Sequence, residues 1–407
     1  MATAARKYDL YSDAFRADTY ATFAQMREHD PVFRQPGIDG ETPIWWVTRY
    51  EDAEAVLLDD ERFVRDPRLA LSPDQLPELP EVFRFIDSNM LNRDGDTHLR
   101  LRRLVSKAFT PRMIEQLRPR IQEIADALID EVVATGEMEL VSQFAFPLPI
   151  TVIAELLGVP AADRESFREW SGAMVSPALS ADEMERADAL LGAFVQYLLA
   201  LFAERRQEPG EDLVSALVAV EDGGDTLSEE ELCSMVALLI VAGHETTVSL
   251  IGNAMLALLT HPEQRAAIGG DPSLLPRAVE ELIRYDGPVE RTLNRWAAAD
   301  VEIGGQTIRR GETVIVVLGA ADHDPARFEA PDTLDLAAER DSRHLGFGRG
   351  RHFCLGAPLA RLEAEIALGT LLRRLPGLRL AVPPDELRWR PVPLFRSLVE
   401  LPVAWDA

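Results

Sequence analysis

The stretch that decides the fold is FGRGRHFCLGAPLARLEAEIALGTLL, residues Phe347 to Leu372. Glycine at 346, 348 and 350 rules out a regular helix or a good strand there, because glycine weakens both. These residues make a loop whose backbone can approach another group closely. From Leu359 to Arg374 the pattern is strongly helical, and Pro358 suits a first turn, where its missing N–H costs nothing. Cys354 therefore stands at the mouth of a helix, where free amides and the helix dipole favour a thiolate. The loop is not a dinucleotide cradle, since G-x-G-x-x-G needs glycine where Arg351 or Phe353 stands. A lone cysteine is ordinarily inert core, but the glycines and the adjoining Arg349, Arg351 and His352 point to a ligand. Cys233, the other cysteine, has no such setting and reads as packing. Two cysteines are too few for a standard iron–sulfur cluster or an all-cysteine zinc site.

A second anomaly lies upstream. Ser228-Glu229-Glu230-Glu231 is a capping box, and Pro262 closes the helix it opens. That helix is about 33 residues, roughly 50 Å, long enough to cross a domain. Leu232 to Leu259 holds one residue charged at neutral pH, Glu245, over 28 positions. It is long enough for a bilayer, yet a lone acid at the bilayer centre costs a few kcal/mol. No second span is expected, and the helix reads as the buried axis of a soluble protein. Its middle, Ala242-Gly243-His244-Glu245-Thr246-Thr247, carries a buried acid and a glycine that weakens the helix by about 1 kcal/mol. Two local penalties together mark a site. The small residues leave room for a ligand against the backbone, and Thr246 can bond back to the Ala242 carbonyl. His244-Glu245 is not the zinc protease motif, because Val248 replaces its second histidine.

Elsewhere helical periodicity dominates: Tyr20–Glu28, Tyr50–Leu58, His98–Ala108, Pro111–Thr135, Ile150–Leu157, Asp182–Arg206 and Ser273–Tyr285. Strands are short: Ile44–Thr48, Val301–Ile303, Gln306–Ile308, Thr313–Val317, Leu378–Val382 and Val399–Trp405. Gly304-Gly305 makes a hairpin turn. The class is mainly α with minor β (α+β). No linker or repeat interrupts the 407 residues, so a single domain over 1–407 is expected. The net charge, 42 − 68 = −26, repels phosphate backbones and anionic lipid and argues against nucleic-acid or membrane partners. Met1 to Tyr20 lacks the apolar core of a signal peptide, so a cytoplasmic location is expected; the chain is also expected to be a monomer. Against the acidic background, His98 to Arg120 carries seven Lys/Arg and one Glu, a local +6 that suits docking of an acidic partner. In Glu280-Glu281-Leu282-Ile283-Arg284, Glu281 and Arg284 are i,i+3 neighbours able to pair.

Taken in chain order, HLRLR at 98–102, AGHETT at 242–247, EELIR at 280–284 and FGRGRHFCLG at 347–356 resemble the cytochrome P450 superfamily, the haem-thiolate monooxygenases. The resemblance covers essentially the whole chain. It implies the cytochrome P450 fold, with haem b (iron protoporphyrin IX) between the long central helix and the helix after the cysteine loop. Cys354 would be the axial ligand of the iron, with Phe347, Gly348 and Ala242 against the haem. His98, Arg102, Arg295 and His352 would bind its propionates through charge-assisted bonds. Glu245 and Thr246 match the catalytic acid–alcohol pair that organises proton delivery, and Glu281 and Arg284 the structural ion pair. The implied reaction inserts one oxygen atom of O2 into a C–H bond. Electrons would come from NAD(P)H through a separate ferredoxin reductase and an acidic ferredoxin docking near His98–Arg120 and the cysteine loop. The alternatives, a peroxide-driven peroxygenase or a haem protein without oxygenase activity, are disfavoured by the intact Glu245 and Thr246.

The pocket walls are expected at Leu238, Val241 and Ala242, at Val289 to Leu293, at the loop between Arg65 and Asn92, and at Leu394–Phe395. Being mostly apolar, they suit a polyketide, a terpenoid, a steroid or a fatty acid, and the resemblance favours the group that decorates macrolides and related secondary metabolites. Two departures from the family pattern stand out. Asp94-Gly95-Asp96-Thr97-His98 replaces a frequent Pro-Pro pair before the histidine, and Ser397 stands where such tails often carry glycine.

Overall fold

The computed structural model describes residues 7–76, 81–163, 166–167, 170, 181–337, 343–392 and 394–406. Of the sequence readings above, residues 1–6 of the N-terminal stretch and 77–80 of the Arg65–Asn92 loop lie outside them. The chain forms two compact units, Met1–Leu76, Ala125–Ala145 and Thr246–Ala407 in one, Pro77–Ile124 and Phe146–Glu245 in the other.

The first unit holds the β structure. Strands β1 (Val32–Pro36), β2 (Pro43–Val47), β3 (Phe63–Val64), β5 (Arg295–Ala297) and β8 (Thr313–Val316) form one sheet in the order β1-β2-β8-β5-β3. β2 and β8 run parallel, with Ile44 opposite Thr313, while the other pairs are antiparallel. β4 (Glu137–Glu139), β9 (Arg379–Leu380) and β10 (Pro402–Ala404) make a second sheet, and β6 (Val301–Ile303) and β7 (Gln306–Ile308) a hairpin. Gly304 and Gly305 turn that hairpin at φ +55° and +75°, as the Gly-Gly pair predicts. β8 is buried at every position: Val314 and Val316 pack with Val47, Tyr50, Phe63 and Leu345, and Ile315 on the other face with Phe33 and Trp46. Helix Ala357–Arg374 buries Leu359, Leu362, Ile366 and Leu371 at helical spacing.

The second unit is helical. Gly95–Ala108 buries His98, Leu101, Leu104, Val105 and Ala108. The expected helix Pro111–Thr135 is instead two, Pro111–Gln116 and Arg118–Val132. Pro119 explains the break, since proline is tolerated only in a first turn.

The long helix runs Glu229–Thr260, about 48 Å, and the boundary between the units falls within it. Its capping box is formed, Glu231 N donating to Ser228 Oγ at 3.2 Å and Ser228 N to Glu231 Oε2 at 2.9 Å. The expectation of one membrane-length helix needs correction, because Glu185–Gln207 also has the length and hydropathy to cross a bilayer. Its buried side chains, Leu191, Phe194, Val195, Leu198, Leu201 and Phe202, form one face at helical spacing. The apolar window of Glu229–Thr260 is 67% buried in the protein. That of Glu185–Gln207 is 33% buried, by the one face it packs.

Candidate active site

In the first unit the cysteine loop is a succession of tight turns. Gly348 N donates to the Leu345 carbonyl at 2.7 Å, Cys354 N to that of Phe347 at 3.0 Å and Phe353 N to that of Gly350 at 3.1 Å. Gly350 has φ +69°, and a Cβ there would lie 2.7 Å from the Leu57 carbonyl oxygen, so only glycine fits. Helix Ala357–Arg374 begins three residues beyond Cys354. The sulfur thus precedes a turn whose amides lack helical partners. Cys354 is half-buried, whereas burial pushes the Cys233 thiol up to about 12 and leaves it inert.

Two ion-pair systems hold this loop, and the sequence disclosed one. Arg284 forks onto Glu281 at 2.7 and 2.9 Å, and also donates to the carbonyls of Asp322, Pro331 and Thr333. Asp322 in turn accepts from Leu345 N at 2.6 Å at the loop's start, and burial pushes its carboxyl up to about 6. The second system centres on Glu280. Burial alone would raise its carboxyl, but bonds from Arg361 and His344 bring it down to about 2. Arg361 also lies 4.4 Å over the Phe347 ring, which His344 flanks at 5.8 Å. Glu280 escaped sequence reading because its partners lie far along the chain.

Arg295 is buried on β5 and donates to the Phe63 carbonyl at 3.0 Å. His352 is half-buried, ending the short turn Gly350–His352. Val289 and Phe395, both expected on the pocket wall, face each other in an isolated antiparallel bridge. Leu394 is half-buried and Leu293 is 42% exposed. Ser397 is buried, its carbonyl accepting from Arg390 N at 2.8 Å.

Glu363 also passed unnoticed in the sequence. It is 1% exposed on helix Ala357–Arg374 and bonds the Thr247 side chain, while its Oε2 has no hydrogen-bond partner. Burial pushes its carboxyl up to about 8, from an ordinary 4.5. The folded protein therefore holds a proton that the unfolded chain releases, and stability falls as pH rises from about 4.5 toward about 8. Glu363→Gln is expected to remove that slope and to stabilise at pH 7 by on the order of 3 kcal/mol. Denaturant midpoints at pH 5 and pH 8 test this, and equal slopes for both proteins contradict it.

In the second unit His98 is buried and Arg102, one turn on, is half-buried. The changed loop before His98 has a backbone reason: Gly95 has φ +57°, which proline cannot adopt. Along the long helix Leu238, Val241, Gly243 and Thr246 are half-buried and Ala242 is exposed, while Leu239, Ile240, His244 and Glu245 are buried. Positions 238, 241, 242 and 246 form one accessible stripe at helical spacing. His244 Nδ1 lies 2.9 Å from the Ile240 carbonyl oxygen, its ring edge-on to Phe146, and its Nε2 is 3.9 Å from Glu245. A Cβ at Gly243 would meet Ile153 at an ordinary 3.5 Å, so packing within the unit does not require glycine there.

The basic island is largely neutralised, which corrects the local +6. Arg100 pairs with Glu231 and Asp225, Arg103 and Lys107 with Asp222, Arg118 with Glu115, and Arg120 with Glu123 and Glu155. Arg349 and Arg351 of the cysteine loop likewise pair with Glu54 and Asp60.

Among the described residues no cluster of three or more His, Cys, Asp or Glu is arranged to hold a metal ion. One thiol ahead of a helix instead fits an iron that brings four ligands of its own, and basic side chains suit the carboxylates of its porphyrin. Fold and donor set define a haem-thiolate protein. The Cytochrome P450 family matches residues 178–269 and 272–389. The chain is 47% identical to cytochrome P450 monooxygenase PikC of Streptomyces venezuelae, over 96% of this chain and 92% of that one. It is 44% identical to 6-deoxyerythronolide B hydroxylase of Saccharopolyspora erythraea, over 98% of each. The solved structure of the Bacillus subtilis bacillaene polyketide synthase cytochrome P450 PksS superposes with a TM-score of 0.92 at 40% identity, covering 98% of this chain and all of that one. The chain belongs to the cytochrome P450 family and is a monooxygenase, with haem and O2 implied by that membership.

Proposed function

We propose that the chain hydroxylates or epoxidises a hydrophobic polyketide-type molecule, a macrolide above all, in the cytoplasm. Electrons would come from NAD(P)H through a separate ferredoxin reductase and ferredoxin. The observation that carries this is the accessible stripe Leu238–Val241–Ala242–Thr246 on a long apolar helix whose most apolar window is 67% buried. The names of the relatives, a 6-deoxyerythronolide B hydroxylase and a polyketide synthase P450, support the substrate class.

When bound, haem supplies the iron at which O2 is activated and one oxygen atom is inserted into a C–H bond. Cys354 Sγ would be its protein ligand, in a position at the helix mouth that favours a thiolate. Phe347, Gly348 and Ala242 would lie against the haem. Arg295, His352, His98 and Arg102 would bind its propionates. Leu238, Val241, Val289, Leu293, Leu394 and Phe395 bind substrate and exclude water. Glu245 carries a proton inward, and the Thr246 hydroxyl holds it toward the oxygen side of the site. An acidic ferredoxin would dock near His98–Arg120 and the cysteine loop, where Arg103 and Arg120 keep more than half of their side chains exposed despite their pairs.

Titration of the holoenzyme tests the substrate class through the low-to-high-spin shift. A shift with 6-deoxyerythronolide B larger than with a steroid or myristic acid is expected, and the reverse order moves the substrate class. For the proton route, Thr246→Ala is expected to keep the spectra intact but cut product per NAD(P)H consumed by about tenfold, the difference appearing as hydrogen peroxide. Unchanged coupling removes Thr246 from the route.

A further inference from the structure

Helix Asp13–Ala17 carries an arginine that none of the chemistry above uses. Arg16 is 4% exposed. Its Nη1 lies 2.7 Å from Glu290 Oε2, itself 2% exposed, and 3.4 Å from the Phe395 carbonyl oxygen. Its Nη2 donates to the Val392 carbonyl at 2.7 Å. One guanidinium therefore grips both segments assigned above to the substrate wall, 289–293 and 394–395.

Those segments form a two-stranded ribbon. Val289 opposes Phe395, Glu290 N donates to the Leu394 carbonyl at 3.2 Å, and Arg396 N to that of Pro288 at 2.9 Å. Side chains alternate along extended backbone, so Val289 and Phe395 share one face and Glu290 and Arg396 take the other. That other face is fastened by charge. Arg396 pairs with Asp286 at 2.5 Å and donates to Thr19 Oγ1 at 3.2 Å, two residues past Arg16's helix. Arg291 sits at the bend that ends the ribbon, so the alternation stops there, and it lies 3.5 Å from Glu290 and over the rings of Trp46, Tyr11 and Phe15 at 5.2 to 5.8 Å. The cluster is buried, so its geometry is held by paired charges that water does not screen.

We propose that Arg16 is a positioning residue for substrate, clasping the Val289–Phe395 ribbon from its charged face and so setting the wall that bulky substrates meet. The proposal rests on the reading of Val289 and Phe395 as pocket wall. A rigid wall presents its contacts without ordering cost, and loosening it weakens ligands that touch it but not ligands that touch only iron.

Two azoles separate those cases in the holoenzyme. Imidazole reaches the iron and little else, whereas clotrimazole ligates iron and fills the space around it; both are read from the Soret shift. In Arg16→Met the clotrimazole Kd is expected to rise about fivefold or more while that of imidazole stays within about twofold. The ferrous–carbonyl band should be unmoved. Arg16→Lys keeps the buried charge but not the fork, and a smaller shift, about threefold, is expected; this variant decides the matter if the methionine variant fails to assemble. Clotrimazole affinity unchanged in both variants, or both azoles weakened equally, overturns the proposal. Val289→Ala tests the underlying reading. If it alters clotrimazole binding while the Arg16 variants do not, the clasp fails and the wall stands; if all are silent, the wall assignment falls too.

Discussion

Cys354→Ser is expected either to emerge without haem or to hold it without the red-shifted ferrous–carbonyl band that marks a thiolate ligand. Serine is nearly isosteric and leaves the turn hydrogen bonds of the loop in place, including Cys354 N to the Phe347 carbonyl at 3.0 Å. What changes is acidity. The amides at the start of Ala357–Arg374 can hold a thiolate at neutral pH, but an alcohol lies too many pKa units higher for the same field to ionise it. Cys354→His would restore a ligand but a neutral one, removing the electron donation that favours O–O cleavage. Monooxygenation is expected to fall by about a hundredfold or more in both. The carbon monoxide difference spectrum is the direct measurement, and a variant that keeps the thiolate band removes Cys354 from the iron.

How much of this was legible beforehand follows from how local each signal is. The capping box at Ser228, the Gly304-Gly305 turn and the glycine-to-helix switch around Cys354 are written within a few residues, and each stands where the pattern puts it. Helix Tyr50–Leu58 and strands Val301–Ile303 and Gln306–Ile308 match to the residue. Strands Val32–Pro36, Phe63–Val64 and Arg295–Ala297 were missed for a physical reason. They are short, two of them contain a charged residue, and they become strands only by pairing: Val32–Pro36 with Pro43–Val47, Arg295–Ala297 with Thr313–Val316, and Phe63–Val64 with Arg295–Ala297. Pairing between distant segments leaves no periodic mark. The pairing of the basic island is hidden from the sequence in the same way. A charge count along His98–Arg120 cannot foresee that Glu155, Asp222, Asp225 and Glu231 come to meet it. Glu280 and Glu363 behave alike, their character set by partners or burial that no short window contains.

The second large effect is expected at Glu281 and Arg284, and it should be asymmetric. Both side chains are under a tenth exposed, so removing either leaves a charge in the protein interior, at a typical cost of about 3–5 kcal/mol. The survivors are not equally placed. In Glu281→Ala the guanidinium still donates to the carbonyls of Asp322, Pro331 and Thr333 and keeps the Phe328 ring at 5.6 Å, so part of its charge remains solvated by protein dipoles. In Arg284→Ala the carboxylate loses both charge-assisted bonds and three carbonyls lose a donor, while the Asp335 amide at 3.2 Å stays with it. Arg284→Ala should therefore fall at or above the upper end of that range and Glu281→Ala near the lower, a gap of about 1–2 kcal/mol. Because Asp322 carries the strain on to Leu345 N, at the entrance to the cysteine loop, haem retention should follow the same order. Denaturant unfolding of the two variants, with haem content measured in parallel, decides it: equal losses, or a worse glutamate variant, mean that the carbonyl bonds contribute little and that the pair acts through its mutual attraction alone.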